Sequence, residues 1–371
     1  MKNPDIRWNP EIEYIRGVAI LLIISIHTTA YFILIDVHNF LFYFNAAVDV
    51  FSHIGVPIFI FVSGFVLAIN YRNHFSLKLF FKKRIPRILI PYVTFSIFYL
   101  LIYELLLNSN LIQNQKELSQ LSYNEILFRL ISGTAHYHLW FLILILELYT
   151  LYPIIIKIHD FFSKLNKQYL LLFIVFATQV IMSIVNYYYP KTDLFYLVFL
   201  NYIFYFVIGI FLSENYQKFK QLIRNIKESN LFILFLLSLG LTSILTLFFV
   251  QNYMVFFKIQ NPFFGYYILL YPLYLILNLI LLFSIICALE RSKICYLQEF
   301  LKTLSKYSFG IYLIHPFFIE AVFFLIMPIL DLNVNNWLFY PILFIFALFL
   351  SLISIKILDN IPYTSIFLGV K

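Results

Sequence analysis

EIEYIRGVAILLIISIHTTAYF, residues 11–32, is the stretch that decides the fold. It reads as a first membrane-crossing helix with Arg16 at its mouth and His27 well inside. A helix turns about 100° and rises about 1.5 Å per residue. The eleven-residue step from Arg16 to His27 therefore returns to within roughly 20° of the same face, about 16 Å deeper. That puts the imidazole near the middle of a hydrocarbon core about 30 Å thick. Ionisable groups at such depth are costly and face a bundle interior or a watery cavity. Two readings of His27 follow: a buried histidine satisfied by a neighbouring helix, or a functional one.

The rest of the chain fits that first helix. Of 371 residues, 62% are hydrophobic and only 12% charged, too few charges to cover a water-soluble domain of this length. Apolar runs recur along nearly the whole chain, which predicts an all-α, multi-spanning membrane protein. The 29 Tyr and 45 Phe suit aromatic belts at both bilayer interfaces. The net charge of +8 sits in short loops between spans, where topology demands it, so nucleic acid is not expected as a partner. Cys287 and Cys295 form neither a disulfide framework nor a zinc pattern, and no metal is expected. The first apolar run is long, is interrupted by Ser25 and His27, and lacks a small-residue cleavage site, so it is read as a span of the mature protein rather than a signal peptide. Richness in Ile, Lys, Asn, Phe and Tyr fits an AT-rich bacterial genome.

About ten spans can be drawn, at 13–35, 46–69, 86–107, 138–157, 169–188, 194–213, 230–250, 264–289, 306–327 and 337–357, within a single domain over 1–371. Alternate loops are basic. Arg72, Lys78, Lys82, Lys83 and Arg84 lie in one, Lys157, Lys164 and Lys167 in the next on that side. Lys218, Lys220, Arg224 and Lys227 follow, then Arg291, Lys293, Lys302 and Lys306. Four loops between, 36–45, 189–193, 251–263 and 328–336, hold at most one basic residue each. The positive-inside rule places both termini in the cytoplasm. The longest external segment, Asn108–Tyr137, has apolar residues spaced for a short amphipathic helix on the outer surface or a lid over an opening. No internal repeat of the kind that builds many transporters is visible.

Several polar residues fall at membrane depth. Asp49 and His53 stand four apart on the second span and share a face; they form either a structural pair or a contact for a polar substrate. Pro57 is expected to kink that helix, and Ser63 and Gly64 to permit close packing. Lys82, Lys83, Arg84 and Arg87 cluster at the cytoplasmic end of the third span. They serve as a topology signal and headgroup contact, or they hold phosphates, for which the arginine fork is suited. Arg84 and Arg87 can converge on one anion. His136, His138 and Trp140 open the fourth span at the outer interface, fitting an aromatic belt or an external sugar site. Glu147 lies near mid-membrane and needs a partner, for which a cation from another span is the natural candidate. Ser308, Tyr312 and His315 form one polar stripe on the ninth span, with Glu320 farther out.

Four segments, RGVAILLIISIH, VPIFIFVSGF, KKRIPRILIPY and YSFGIYLIHP, together with HLWFLILILELYTLYP, resemble in order and spacing the acyltransferase family 3 integral membrane proteins. The resemblance runs from about Ile12 to about Pro316. The first segment is the most specific, and the family's ten-span core agrees with the spans drawn above. One departure stands out: Arg84 and Arg87 are separated by Ile85 and Pro86, where the family often has a tighter basic pair. The resemblance implies transfer of an acyl group, commonly acetyl, to a hydroxyl of a cell-surface polysaccharide or a lipid-linked glycan. The implied donor is acyl-coenzyme A on the cytoplasmic side, with succinyl as another acyl group, and the implied place is the bacterial cell membrane. It makes His27 the catalytic histidine, Arg16 its essential partner, and Lys83, Arg84 and Arg87 the candidate donor site. Asp49, His53, Trp140, Glu147, Ser308, Tyr312 and His315 are then candidate substrate contacts. A neutral imidazole can take a proton from a sugar hydroxyl. A buried site limits hydrolysis of the thioester. Ser308 and Tyr312 are the hydroxyls an acyl-protein intermediate would use. Two other classes remain: a transporter or flippase for a glycan, whose pathway the same buried polar residues would line, and a scaffold within polysaccharide-synthesis machinery.

Overall fold

The computed structural model describes residues 9–35, 37–72, 76–108, 122–188, 199–255, 264–292, 294–362 and 364–368. Among them there are helices, turns and no strands. Long apolar runs leave no other way to satisfy backbone groups inside a bilayer short of a closed barrel. Nine helical segments among the described residues are long and apolar enough to cross a membrane, and a tenth apolar helix is shorter.

The first is α1 (Pro10–Thr29), extended by a 3₁₀ turn to Leu34. The second is broken in two, α2 (Phe40–Ser52) and α3 (Gly55–Tyr71). Pro57 lies in the first turn of α3, so the break at residues 53–54 comes just ahead of the proline. A proline is tolerated in a first turn, where its missing N–H has no intrahelical partner. The third span is likewise in two parts, α4 (Leu77–Arg84) and α5 (Pro86–Asn108), joined at Ile85. There follow the surface helix α6 (Tyr123–Ser132), then α7 (Trp140–Lys164) and α8 (Gln168–Tyr188).

The sixth predicted span, 194–213, begins outside the described residues. Its described part is a short turn at Phe199–Asn201 and α9 (Ile203–Glu214). Twelve residues rise only about 18 Å, so α9 alone does not cross. It is instead among the most buried helices and packs along α3. Next come α10 (Tyr216–Arg224), α11 (Glu228–Val255) and α12 (Phe264–Arg291). The last two spans are α13 (Cys295–Ala321), carried on to Ile329 through a π-helical stretch at Val322–Ile326, and α14 (Phe339–Asp359).

α1 sits at the centre, against α13, α3, α2, α12 and α14. Glycines set how closely the helices approach. A Cβ at Gly64 on α3 would run into the carbonyl oxygen of Phe206 on α9, and one at Gly209 on α9 would run into that of Phe61 on α3. Two glycines facing each other's backbones replace side-chain interdigitation with direct helix contact.

Ion pairs fasten the ends of the helices. Glu11 is fully buried at the start of α1. It accepts from Tyr216 Oη at 2.8 Å and pairs with Lys220, both on α10. Arg224 in turn reaches Glu290 at 2.6 Å. Arg72 bridges Asp160, at 2.7 Å, and Glu214, tying α3 to α7 and α9, with His159 buried behind them. His159, Asp160 and Glu214 are close enough to share a cation, but Arg72 already lies between the two carboxylates.

The amphipathic surface helix expected in the external segment is α6. Its residues Tyr123, Leu127, Phe128 and Ile131 are exposed, as a helix lying on a bilayer surface requires. Residues 109–121 of that segment lie outside the described residues. Ser122 caps its N-terminus and Glu125 bonds back to Ser122. Those bonds, from the Ser122 backbone N–H first, hold the Glu125 carboxyl below its ordinary value. Gly133 ends the helix at φ 77°, a left-handed conformation that costs other residues energy.

Candidate active site

Two sites lie along the α1–α13 seam, and they are separated in depth. The lower one is a cavity of about 300 Å³ lined by Arg16, Arg84, Arg87, Lys306, Ser308 and Tyr312, with Phe59, Phe141, Tyr149 and Phe309 among its apolar walls. Arg16 comes from α1, Arg84 and Arg87 from either side of the Ile85 break, Phe59 from α3, Phe141 and Tyr149 from α7, and Lys306, Ser308, Phe309 and Tyr312 from α13. Arg84 and Arg87, three apart across that joint, both line the one space. Ser308 Oγ–H is spent on the carbonyl of Ser305 at 2.9 Å. Its lone pairs then face Arg16, whose Nε donates to Ser308 Oγ at 2.8 Å. No carboxylate pairs with Arg16 among the described residues, so its remaining N–H groups are available to an anion in the cavity. Arg84 donates through Nε to Tyr71 Oη at 2.9 Å and lies over that ring. Lys306 is held at the rim between Tyr307 Oη, 2.7 Å, and Asp359, 3.5 Å. The spacing makes a ladder of cations from rim to depth.

The upper site is a cluster of rings around His27. His27 stacks on His315 with centroids 5.2 Å apart and lies 4.9 Å from the ring of Tyr137. His138 lies 5.5 Å from His315. His315 is fully buried. Its Nδ1 lies 2.8 Å from the carbonyl of Tyr312 and 3.2 Å from that of Ile311. A carbonyl only accepts, so Nδ1 carries the hydrogen and Nε2 presents a lone pair. That Nε2, like His138 Nε2, is buried with no hydrogen-bond partner. Tyr312 separates the two sites: its hydroxyl donates to the carbonyl of His138 and its ring meets Phe141.

The structure therefore gathers some of the sequence candidates and disperses others. Arg16, Arg84, Arg87, Ser308 and Tyr312 share the lower cavity. His27 and His315 meet in the upper cluster. Arg16 and His27 do not touch. Arg16 bonds to Ser308 while His27 stacks on His315, and seven residues of α13 rise about 10 Å. Lys83 is exposed and lies outside the cavity lining. Trp140 packs on Tyr202, with centroids 5.8 Å apart, away from the histidines.

Glu147 accepts from the backbone N–H of Phe199 at 3.1 Å. The cationic partner expected for it is absent among the described residues, and a main-chain donor takes its place. Asp49 is buried and His53 Nδ1 lies 3.4 Å from it, with Thr29 Oγ1 donating to Asp49 at 3.2 Å. This pair fastens α2 to α1 beside the cluster.

His136 and His138, read as interface residues, are instead buried, because the turn between Gly133 and Trp140 dips into the bundle. An H-x-H pair bounded by a helix-ending glycine and a tryptophan was the available signal. Tyr99 and Tyr137 were not named as site residues, and Lys306 was read only as one of the basic residues of a cytoplasmic loop.

Comparison with known proteins now bears on these sites. The acyltransferase domain family matches residues 9–356. A probable poly-beta-1,6-N-acetyl-D-glucosamine export protein of Staphylococcus epidermidis is 26% identical over 328 residues, covering 84% of this chain and 82% of that protein. Its namesake from a particular strain of that species matches equally. No solved structure matches significantly.

Proposed function

We propose, since the chain belongs to acyltransferase family 3 and is a multi-pass membrane acyltransferase, that it moves an acyl group from cytoplasmic acyl-coenzyme A to a hydroxyl of a surface polysaccharide or lipid-linked glycan. Acetyl is the group we favour, with succinyl as the other acyl group to be tried. The relative's name points to an N-acetylglucosamine polymer as the acceptor class. The observation that carries the reading is the pairing of a cation-lined cavity with a histidine cluster directly beyond it on the same two helices.

In this reading the donor's phosphates meet Lys306, Arg87 and Arg84 at the rim of the cavity. Arginine forks suit phosphate and lysine serves as a point charge. Arg16 lies deeper and binds the donor further along its length. With His27 about 10 Å beyond, Arg16 acts on donor binding and not on the oxyanion. The thioester reaches His27 past Tyr312. The acceptor hydroxyl attacks the thioester carbonyl as His27 takes its proton. The tetrahedral intermediate then expels the coenzyme A thiolate, which takes the proton back. The products are a glycan ester and free thiol. The enclosing rings of Tyr137, His315 and His138 exclude water that would hydrolyse the thioester.

The test uses purified protein in lipid vesicles, acyl-labelled acetyl-coenzyme A and an added N-acetylglucosamine oligosaccharide, with His27→Ala as the comparison. Wild-type protein is expected to transfer label and His27→Ala to transfer none while melting at the same temperature. An active, well-folded His27→Ala protein would refute the role of His27.

The relative's name, an export protein, favours one second reading, a glycan transporter. It is distinguished by glycan movement in the absence of any acyl donor.

A further inference from the structure

Behind the histidine cluster lies a chain of hydrogen bonds that the transfer reaction described above does not use. Glu320 Oε1 is 3.1 Å from His136 Nε2, and His136 Nδ1 is 2.9 Å from His138 Nδ1. His136 is fully buried and Glu320 about 20% exposed, so the chain runs from an accessible carboxylate to a buried ring. A carboxylate can only accept, so His136 carries its hydrogen on Nε2. In the neutral ring this makes Nδ1 an acceptor, and the hydrogen shared with His138 then belongs to His138 Nδ1. His138 Nε2 is left as a lone pair. That atom is buried and unpartnered, as is Nε2 of His315, whose ring centroid lies 5.5 Å from that of His138. Two buried lone pairs suit hydrogen-bond donors, the chemistry of sugar hydroxyls. Tyr99 stacks on His136 at 4.0 Å and donates its hydroxyl to the carbonyl of Leu313, which holds the first ring of the chain in plane.

We infer that Glu320, His136 and His138 form a tautomer-setting relay that presents His138 Nε2, together with His315 Nε2, to hydroxyls of the acceptor sugar that neighbour the reacting one. This inference rests on the acyltransfer reading. His138 contacts the acceptor; His136 and Glu320 are positioning residues that act through it. In the reaction these lone pairs hold neighbouring hydroxyls of the acceptor sugar, while His27 takes the proton of the hydroxyl that attacks. No further proton leaves the site, and the balance of the transfer is unchanged. A carboxylate holding one imidazole of a catalytic pair in its working tautomer is worth large factors in rate elsewhere.

The experiment compares wild type, Glu320→Gln, Glu320→Asp and His138→Gln in vesicles. It measures kcat, the KM for acceptor and for acetyl-coenzyme A, and the thermal midpoint. An amide at residue 320 can donate to His136 and so permits the other tautomer. Glu320→Gln is therefore expected to lower kcat by 10-fold or more with the KM for acetyl-coenzyme A unchanged. Glu320→Asp is expected to restore most of it, and His138→Gln to raise the KM for acceptor. A wild-type kcat in Glu320→Gln, or losses in both Glu320 variants that follow a fall in thermal midpoint, would overturn the relay. If Glu320→Gln does not fold, His138→Gln decides: an acceptor KM equal to wild type overturns the inference. Wild-type protein that transfers nothing would overturn the acyltransfer reading and the relay together, whereas wild-type turnover with unaffected variants overturns the relay alone.

Discussion

Arg16 is the residue whose surroundings say most. A guanidinium this deep carries a large desolvation cost, and the side-chain bond recorded for it is the one to Ser308, at 2.8 Å. Hydrogen bonds to charged groups contribute about 1.5–3 kcal/mol. Ser308→Ala should therefore lower kcat/KM by roughly tenfold or more, through a higher KM for the donor, while Ser308→Thr keeps the hydroxyl and most of the activity. Steady-state kinetics on the two variants checks this. Equal losses in both would mean that the volume at residue 308 matters and its oxygen does not. At the same scale, His315 shows how backbone carbonyls choose a tautomer: Tyr312 and Ile311 claim Nδ1 and leave the lone pair on the buried, unpartnered Nε2.

Among the elements, the α3–α9 contact makes the sharpest prediction. Gly64→Val places side-chain atoms where the Phe206 carbonyl lies, and overpacking of this kind costs about 1–3 kcal/mol. Gly240 on α11 has no atom within 4 Å of the same position, so Gly240→Ala should leave stability unchanged or raise it by up to about 1 kcal/mol. Thermal unfolding in detergent reads both, and an unaffected Gly64→Val would show that the helices can part without cost. The closeness was legible in Ser63-Gly64, as were most spans, because helix length and hydropathy depend on local composition. The break between α2 and α3 was half legible, since Pro57 marked a disturbance without placing it. α9 covers only the later part of the span drawn over 194–213, whose first residues lie outside the described ones. Glu147 and the His136–His138 turn were misread for one reason. Their partners, the Phe199 amide and Glu320, lie 52 and 184 residues away, and no local pattern announces a contact at that range.

For the whole molecule, the alternation of basic loops sets an orientation that an endogenous probe can test. Cys295 is exposed at the start of α13 and Cys287 is buried, and the stretch between them carries Arg291 and Lys293. If basic loops face the cytoplasm, a membrane-impermeant maleimide should label Cys295 in inverted vesicles and not in intact cells. Labelling in intact cells would reverse the orientation drawn here. The long-range bonds of α1 have a further consequence, for biogenesis. Glu11 finds Tyr216 205 residues later, and Arg16 finds Ser308 292 residues later. At about 5–20 residues per second of synthesis, the first helix emerges from the ribosome roughly 15 to 60 s before Ser308 exists. Glu11 waits without its lasting partner through most of that interval and Arg16 through all of it, five positions apart in one helix. The nascent protein must shelter that helix in the translocon or against an insertion chaperone, and cells short of such factors should degrade this chain at its first span before its last is translated.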